Sequence, residues 1–149
     1  MSYLALPVSL DISQSTNIAA NATPQILMLP DVNQVMNCAY DTATGIITLQ
    51  QNGTYTFEFQ FLATSLLGGR LNFYAEADTG SGFVVRPKSC RTRNVTGLQT
   101  DLVAFGATAF FRQGTRLRAY IFGNGFTLAA NTPTNSPTEC PAARITMTN

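Results

Sequence analysis

The segment Thr54-Tyr-Thr-Phe-Glu-Phe-Gln-Phe61 constrains this chain more than any other part of it. Polar and aromatic residues alternate strictly along it, which is the period of a β-strand and not of a helix. Tyr55, Phe57, Phe59 and Phe61 therefore share one face, and Thr54, Thr56, Glu58 and Gln60 share the other. An unbroken aromatic row must be buried, and a lone strand cannot bury it, so the rest of the chain has to supply a sheet and a second layer. Seven further runs are strand candidates: Ile26 to Leu29, Gly45 to Gln50, Arg70 to Ala77, Gly82 to Arg86, Leu102 to Arg112, Arg116 to Phe122 and Arg144 to Thr148. Gly68-Gly69, Thr79 to Gly82, Gln113-Gly114, Gly123 to Gly125 and Asn131 to Pro141 separate them with turn residues. No amphipathic helix of useful length is present. Many short antiparallel strands in about 150 residues predict an all-β, two-sheet sandwich or jelly roll.

The N-terminus reads differently from the rest. Leu4, Leu6, Val8 and Leu10 alternate with Tyr3, Ala5, Pro7 and Ser9 as a first strand, which Pro7 would place at a sheet edge. Asp11 to Thr23 is polar and aperiodic, the pattern of an arm or linker. The expected organisation is residues 1–24 as strand plus arm, and 25–149 as the jelly-roll domain. The first ten residues carry no basic side chain and contain Pro7, so they do not read as a signal peptide. No run approaches the roughly 18 apolar residues of a membrane span.

Composition bounds the chemistry. The chain of 149 residues has no His, which removes the commonest general base and metal ligand and the imidazole-dependent triads. Charged residues are 11% of the chain, against roughly 25% in an average domain. Twenty Thr and 11 Asn outnumber the 17 charges, so the surface is mostly neutral and polar. A net charge of +1 argues against a nucleic-acid or membrane partner. Cys38, Cys90 and Cys140 are widely separated, without zinc or redox spacing, and read as free thiols; a Cys90–Cys140 bridge is one of the pairings left open. Glu76 and Asp78, the one close carboxylate pair, read as a solvated strand end, and no Asp-rich loop has calcium-ligand spacing. The expectation is no enzyme, no cofactor and no metal.

The stretch Tyr40-Asp-Thr-Ala-Thr-Gly45 followed by Gly53-Thr-Tyr-Thr-Phe57 resembles the complement globular-head branch of the tumour necrosis factor (TNF)-like jelly rolls. A Tyr-Asp turn, a Thr-Gly pair, a short strand and then Gly-x-Tyr-x-Phe form that pattern. On this reading Gly45 and Gly53 each permit a tight turn. Phe111-Arg-Gln-Gly-Thr-Arg-Leu-Arg-Ala-Tyr-Ile121 extends the likeness, with Gly114 as the turn and Leu117, Ala119 and Ile121 as the inward row. The final strand departs from it, lacking the usual Phe-x-Gly.

The resemblance implies a homotrimer, with Phe110, Tyr120 and Phe122 as interface candidates. Arg86, Lys88, Arg91 and Arg93 gather four of nine basic residues in eight positions and read as a loop suited to docking on an acidic surface. Together these features lead to the expectation of a non-enzymatic virion protein. It would be a trimeric bacteriophage capsid decoration or head-fibre protein, partnered by the major capsid protein or another virion protein. The alternative is a receptor- or glycan-binding tip on a fibre, spore or cell surface. Exposed loop aromatics such as Phe83 or Phe126 would favour it.

Overall fold

The computed structural model describes residues 5–131 and 140–149. Within them the chain forms two antiparallel sheets of seven strands each, packed face to face as a jelly-roll sandwich. The first sheet contains β1 (Ser9–Gln14), β2 (Ile18–Ala20), β4 (Asp31–Met36), β7 (Gly53–Thr64), β11 (Asp101–Phe111), β13 (Phe126–Leu128) and β14 (Ala143–Thr148). The second contains β3 (Gln25–Ile26), β5 (Cys38–Asp41), β6 (Ile46–Leu49), β8 (Gly69–Asp78), β9 (Phe83–Val85), β10 (Arg91–Val95) and β12 (Arg116–Phe122).

In the first sheet the order is β11-β7-β14-β1-β4, and β13 with β2 continues it past the ends of β14 and β1. In the second it is β10-β8-β12-β6-β5, with β9 extending the β10 edge along β8 and β3 beside β12. The aromatic row of β7 is the centre of the core. Phe59 stacks toward Phe73 of β8 at 4.4 Å and toward Phe105 of β11 at 5.2 Å, and Tyr55 and Phe61 are almost fully buried.

The N-terminal expectation is corrected. Residues 9–14 and 18–20 are strands of the first sheet, not an arm, and β1 lies inside the sheet between β14 and β4 rather than at an edge. Leu10 and Ile12 point inward, each 1% exposed, while Asp11 turns outward to a bidentate pair with Arg144 at 3.0 and 2.7 Å. Two inward apolar residues in a polar run are too few to register as alternation. The strand expected over Tyr3 to Leu10 is not found at its described end, where pairing begins at Ser9; residues 1–4 lie outside the described part.

β4 was equally hidden, because all six of its residues are exposed and its sequence has no period. It exists through its ladder to β1. Asn37, at φ +55°, then bends the chain directly into β5 of the other sheet. One long side of the sandwich is thus closed by continuous backbone.

The motif around Tyr40 has a local logic. The Tyr40 hydroxyl accepts from the Leu29 N–H and donates to the Leu29 carbonyl, both at 2.9 Å, and the Asp41 side chain accepts from the Ala43 N–H. Gly45 closes the turn at φ +71°, where an added Cβ would stand 2.7 Å from the Leu27 carbonyl oxygen. Gly53 does not share this role. It is the first residue of β7, pairs with Phe111, and would accept a Cβ at ordinary contact distance. Cys38 is buried, Cys90 exposed and Cys140 intermediate, and all three are free thiols.

Candidate binding site at the open side of the sandwich

Opposite the Asn37 bend, the two sheets end without a shared strand. The edge of the first is β11. The edge of the second is β9, a 3-10 turn over Pro87–Ser89, and β10. The inward row of β11 runs Phe105, Ala107, Ala109, Phe111, and its two alanines leave space that larger side chains would fill.

The result is a cavity of about 720 Å³ between the sheets. Phe57, Phe59, Phe105, Phe111, Leu117 and Ile145 line it, and Arg86, Pro87, Lys88 and Ser89 stand at its rim. A smaller space of about 140 Å³ continues along the same seam toward Arg91 and Arg93, walled by Phe61, Phe73, Val103 and Phe105.

The sequence reading placed Arg86, Lys88, Arg91 and Arg93 on one loop suited to docking. Lys88 lies on the 3-10 turn, Arg86 is the extended residue that precedes it, and Arg91 and Arg93 lie on the edge strand β10; all four are exposed along one rim of the seam. The Ser89 hydroxyl pins the turn, accepting from the Ala75 N–H at 2.8 Å and donating to the Arg86 carbonyl at 2.6 Å. Arg86 reaches across the gap, its guanidinium 5.3 Å from the Phe111 ring centroid. Arg91 is used locally, donating to the carbonyls of Lys88 and Cys90 at 2.7 and 2.9 Å. Arg93 pairs with Asp101 of β11 at 3.4 Å, an exposed contact worth little by itself. Arg86 and Lys88 have no carboxylate partner among the described residues.

Magnitudes show how unusual this space is. Protein interiors rarely contain voids larger than a water molecule. At about 24 cal/mol per Å³ of residual cavity, a sealed and empty space of this size would cost about 17 kcal/mol. That exceeds the net stability of about 5–15 kcal/mol of a whole domain. The cavity is open along the seam and so not sealed from water. Although Phe57, Phe59 and Phe111 are each no more than 7% exposed, an apolar occupant gains the free energy of covering what apolar lining remains exposed.

A second constellation sits on the outer face of the second sheet. The register sets Tyr120 opposite Tyr74, Arg118 opposite Glu76 and Arg116 opposite Asp78. Tyr74 and Tyr120 stack at 4.9 Å and 8°, with Phe122 edge-on to Tyr74 at 6.0 Å. The Arg118 guanidinium lies 3.8 Å over the Phe83 ring and bonds Glu76 at 3.0 Å, while its Nε has no partner.

Three sequence readings change here. Phe110 is not a neighbour of Tyr120 and Phe122, because β11 and β12 belong to different sheets, so these candidates form two separate patches. Glu76 and Asp78 are not a solvated end: their side chains are 12% and 7% exposed, each held by an arginine. Phe126 is no loop aromatic but buried in β13, and Phe83 is covered by Arg118. Reasoning from sequence also passed over Leu66, Leu67 and Leu98. These are 78%, 95% and 79% exposed, and the Leu98 N–H to Ser65 carbonyl bond holds their two loops together at one end of the sandwich. Among the described residues no cluster of three Cys, Asp or Glu is placed to hold a metal ion.

The Asp78 pair sets the acid behaviour. The Arg116 side chain and the Gly80 and Gly82 N–H groups hold the Asp78 carboxyl down to about 2, below the ordinary 3.8, and the hydrogen bonds of Arg144 lower that of Asp11. A depressed folded value means that the stabilisation is complete above the unfolded value and is lost as pH falls through the folded one. Thermal unfolding midpoints are therefore expected to be level from about pH 5 to 8, where no His titrates, and to fall between about pH 4 and 2. Asp78→Asn is expected to shallow that acid limb, as measured by circular dichroism melts across pH.

No family model and no curated protein matches the sequence. The fold does match solved structures. The globular domain of zebrafish complement 1qA protein aligns with TM-score 0.65 and 17% identity over 96% of each chain. Murine APRIL aligns with TM-score 0.64 and 7% identity over 97% of this chain and 99% of the other. Eiger TNF from S. frugiperda gives 0.64 and 10% over 96% and 92%. The chain thus has the jelly-roll fold of the complement globular heads and TNF-like domains.

Proposed function

We propose that the chain is a non-enzymatic structural and binding module that works as a homotrimer. The observation that carries this reading is the edge strand β11. Its outward row is Leu102, Ala104, Gly106, Thr108 and Phe110, with Leu102 and Phe110 56% and 59% exposed. It is 11 residues long, pairs with β7 without a register shift, and carries no Lys, Arg, Pro or bulge that would keep a second chain off it. Edges left in this state are covered in a working protein. In a heterologous ring each edge meets the flank of the next subunit, and three subunits close it.

The finer reading is that the trimer decorates a larger assembly, first of all a virion shell, as a cement or head-fibre protein. Supporting it are the low charge elsewhere and the single basic rim of Arg86, Lys88, Arg91 and Arg93, suited to an acidic partner surface. Multi-angle light scattering of the purified chain at micromolar concentration is expected to give three times the 16.1 kDa chain mass. A monomer would remove the trimer, and failure to rebind particles stripped of the protein would remove decoration. The partly buried Tyr74, Tyr120 and Phe122 on the outer face favour a second reading, a glycan-binding tip, since flat stacked rings suit sugar faces. Binding on a glycan array that Tyr120→Ala abolishes would decide for it.

A further inference from the structure

We infer that the cavity between the sheets is a binding site for a single-chain anionic amphiphile, a fatty carboxylate, with its tail between the sheets and its head at Arg86 and Lys88. The inference does not need the trimer: four of the five β11 residues that line the site, Phe105, Ala107, Ala109 and Phe111, are on its inward row, and Leu102 and Phe110 take no part in it. Two independent observations converge on it. The space, about 720 Å³, falls in the range of small-molecule pockets and is walled by Phe57, Phe59, Phe105, Phe111 and Ile145. Along the seam where it opens, the charged residues that line it among the described residues are Arg86, Lys88 and Arg118, all positive. The chain's single lysine stands there beside Arg86, and neither has a carboxylate partner among the described residues.

The lining adds a reason for a tail and not a flat ring system. Ala107 and Ala109 of β11 line the cavity from the first sheet and Ala75 and Ala119 of β8 and β12 from the second, so small side chains on both walls leave room between the sheets for a flexible chain. The carboxylates nearest in sequence, Glu76 and Asp78, point to the outer face, where Arg118 and Arg116 hold them, and no Asp or Glu lines the cavity among the described residues. Arg86 already lies across the mouth on Phe111, and a bound carboxylate would draw the guanidinium from a ring face to a bidentate pair.

Isothermal titration of the full chain with dodecanoate, dodecanol and dodecyltrimethylammonium tests this directly. Dodecanoate is expected to bind at one site per chain, at least about tenfold more tightly than the alcohol or the cation, because hydrogen bonds to a charged group are worth more than neutral ones. Arg86→Ala with Lys88→Ala should remove that preference and leave dodecanol affinity unchanged. Ala107→Phe, which fills the space from β11, should abolish binding of both while the melting curve and the assembly mass stay as in the parent. Failure of dodecanoate to bind, equal affinity for all three probes, or binding unaffected by Ala107→Phe would overturn the proposal. Dissociation of the assembly on adding dodecanoate would also overturn it, since the cavity would then be occupied by a second copy. The parent's assembly mass without ligand reports separately on the trimer.

Discussion

Phe61→Ala is expected to remove about 3–5 kcal/mol of folding free energy, the range for truncating a buried aromatic side chain. Phe61 is 1% exposed, and its ring centroid lies 5.8 Å from that of Phe73 and 6.1 Å from that of Phe105. It joins three strands, β7, β8 and β11, across both layers. Its backbone is fixed on both sides by Val103 and Ala143, so the neighbours have little room to collapse into the vacated space. At roughly 2–4 °C per kcal/mol for a chain of this size, the melting midpoint should drop by roughly 6–20 °C. Phe61→Leu keeps most of the volume and should cost less than half as much. A loss below about 1 kcal/mol in urea titration would mean that the two layers do not pack through this row.

The second large effect concerns association. Leu102→Lys combined with Phe110→Glu should weaken self-association by about a hundredfold or more, enough to yield monomers at micromolar concentration. Both side chains are more than half exposed, so the folded chain itself should change in stability by no more than about 0.5 kcal/mol per site. Light scattering and melting curves on the same samples separate the two effects. Tyr120→Lys, on the opposite outer face, serves as the contrast. If it breaks the assembly and the β11 pair does not, the subunit contact lies on the second sheet.

Much of this fold could be read from residues whose pattern reflects burial on one side. β8, β11, β12 and β14 appear in the sequence within a residue of their observed ends, and β7 within one residue at its start and three at its end, since each alternates between core and surface. β4 could not be read. Its residues are exposed throughout, and its place depends on hydrogen bonds to β1 and on the Asn37 bend, which are non-local. β1 was missed for a related reason, as Leu10 and Ile12 alone mark its inward face. The site divides in the same way. The cluster of basic residues from Arg86 to Arg93 is visible in sequence, but its proximity to Phe111 is set by how two sheet edges meet. Nothing local to Ala107 or Ala109 announces a cavity: alanine facing a core signals space only when the residue across from it is known.

The bend at Asn37 has a consequence for how such a chain can diversify. At one long side of the sandwich a single residue, Asn37, links the two edge strands, while at the other the longer segment 96–100 joins β10 to β11, so the separation of the sheets there rests more on side chains. Substitutions at Arg86, Lys88, Ala107 or Ala109 alter what the gap admits without breaking a ladder hydrogen bond. The width of that gap is therefore the dimension of the molecule that selection can retune at least risk to folding, and one scaffold can present different apertures while its topology stays the same.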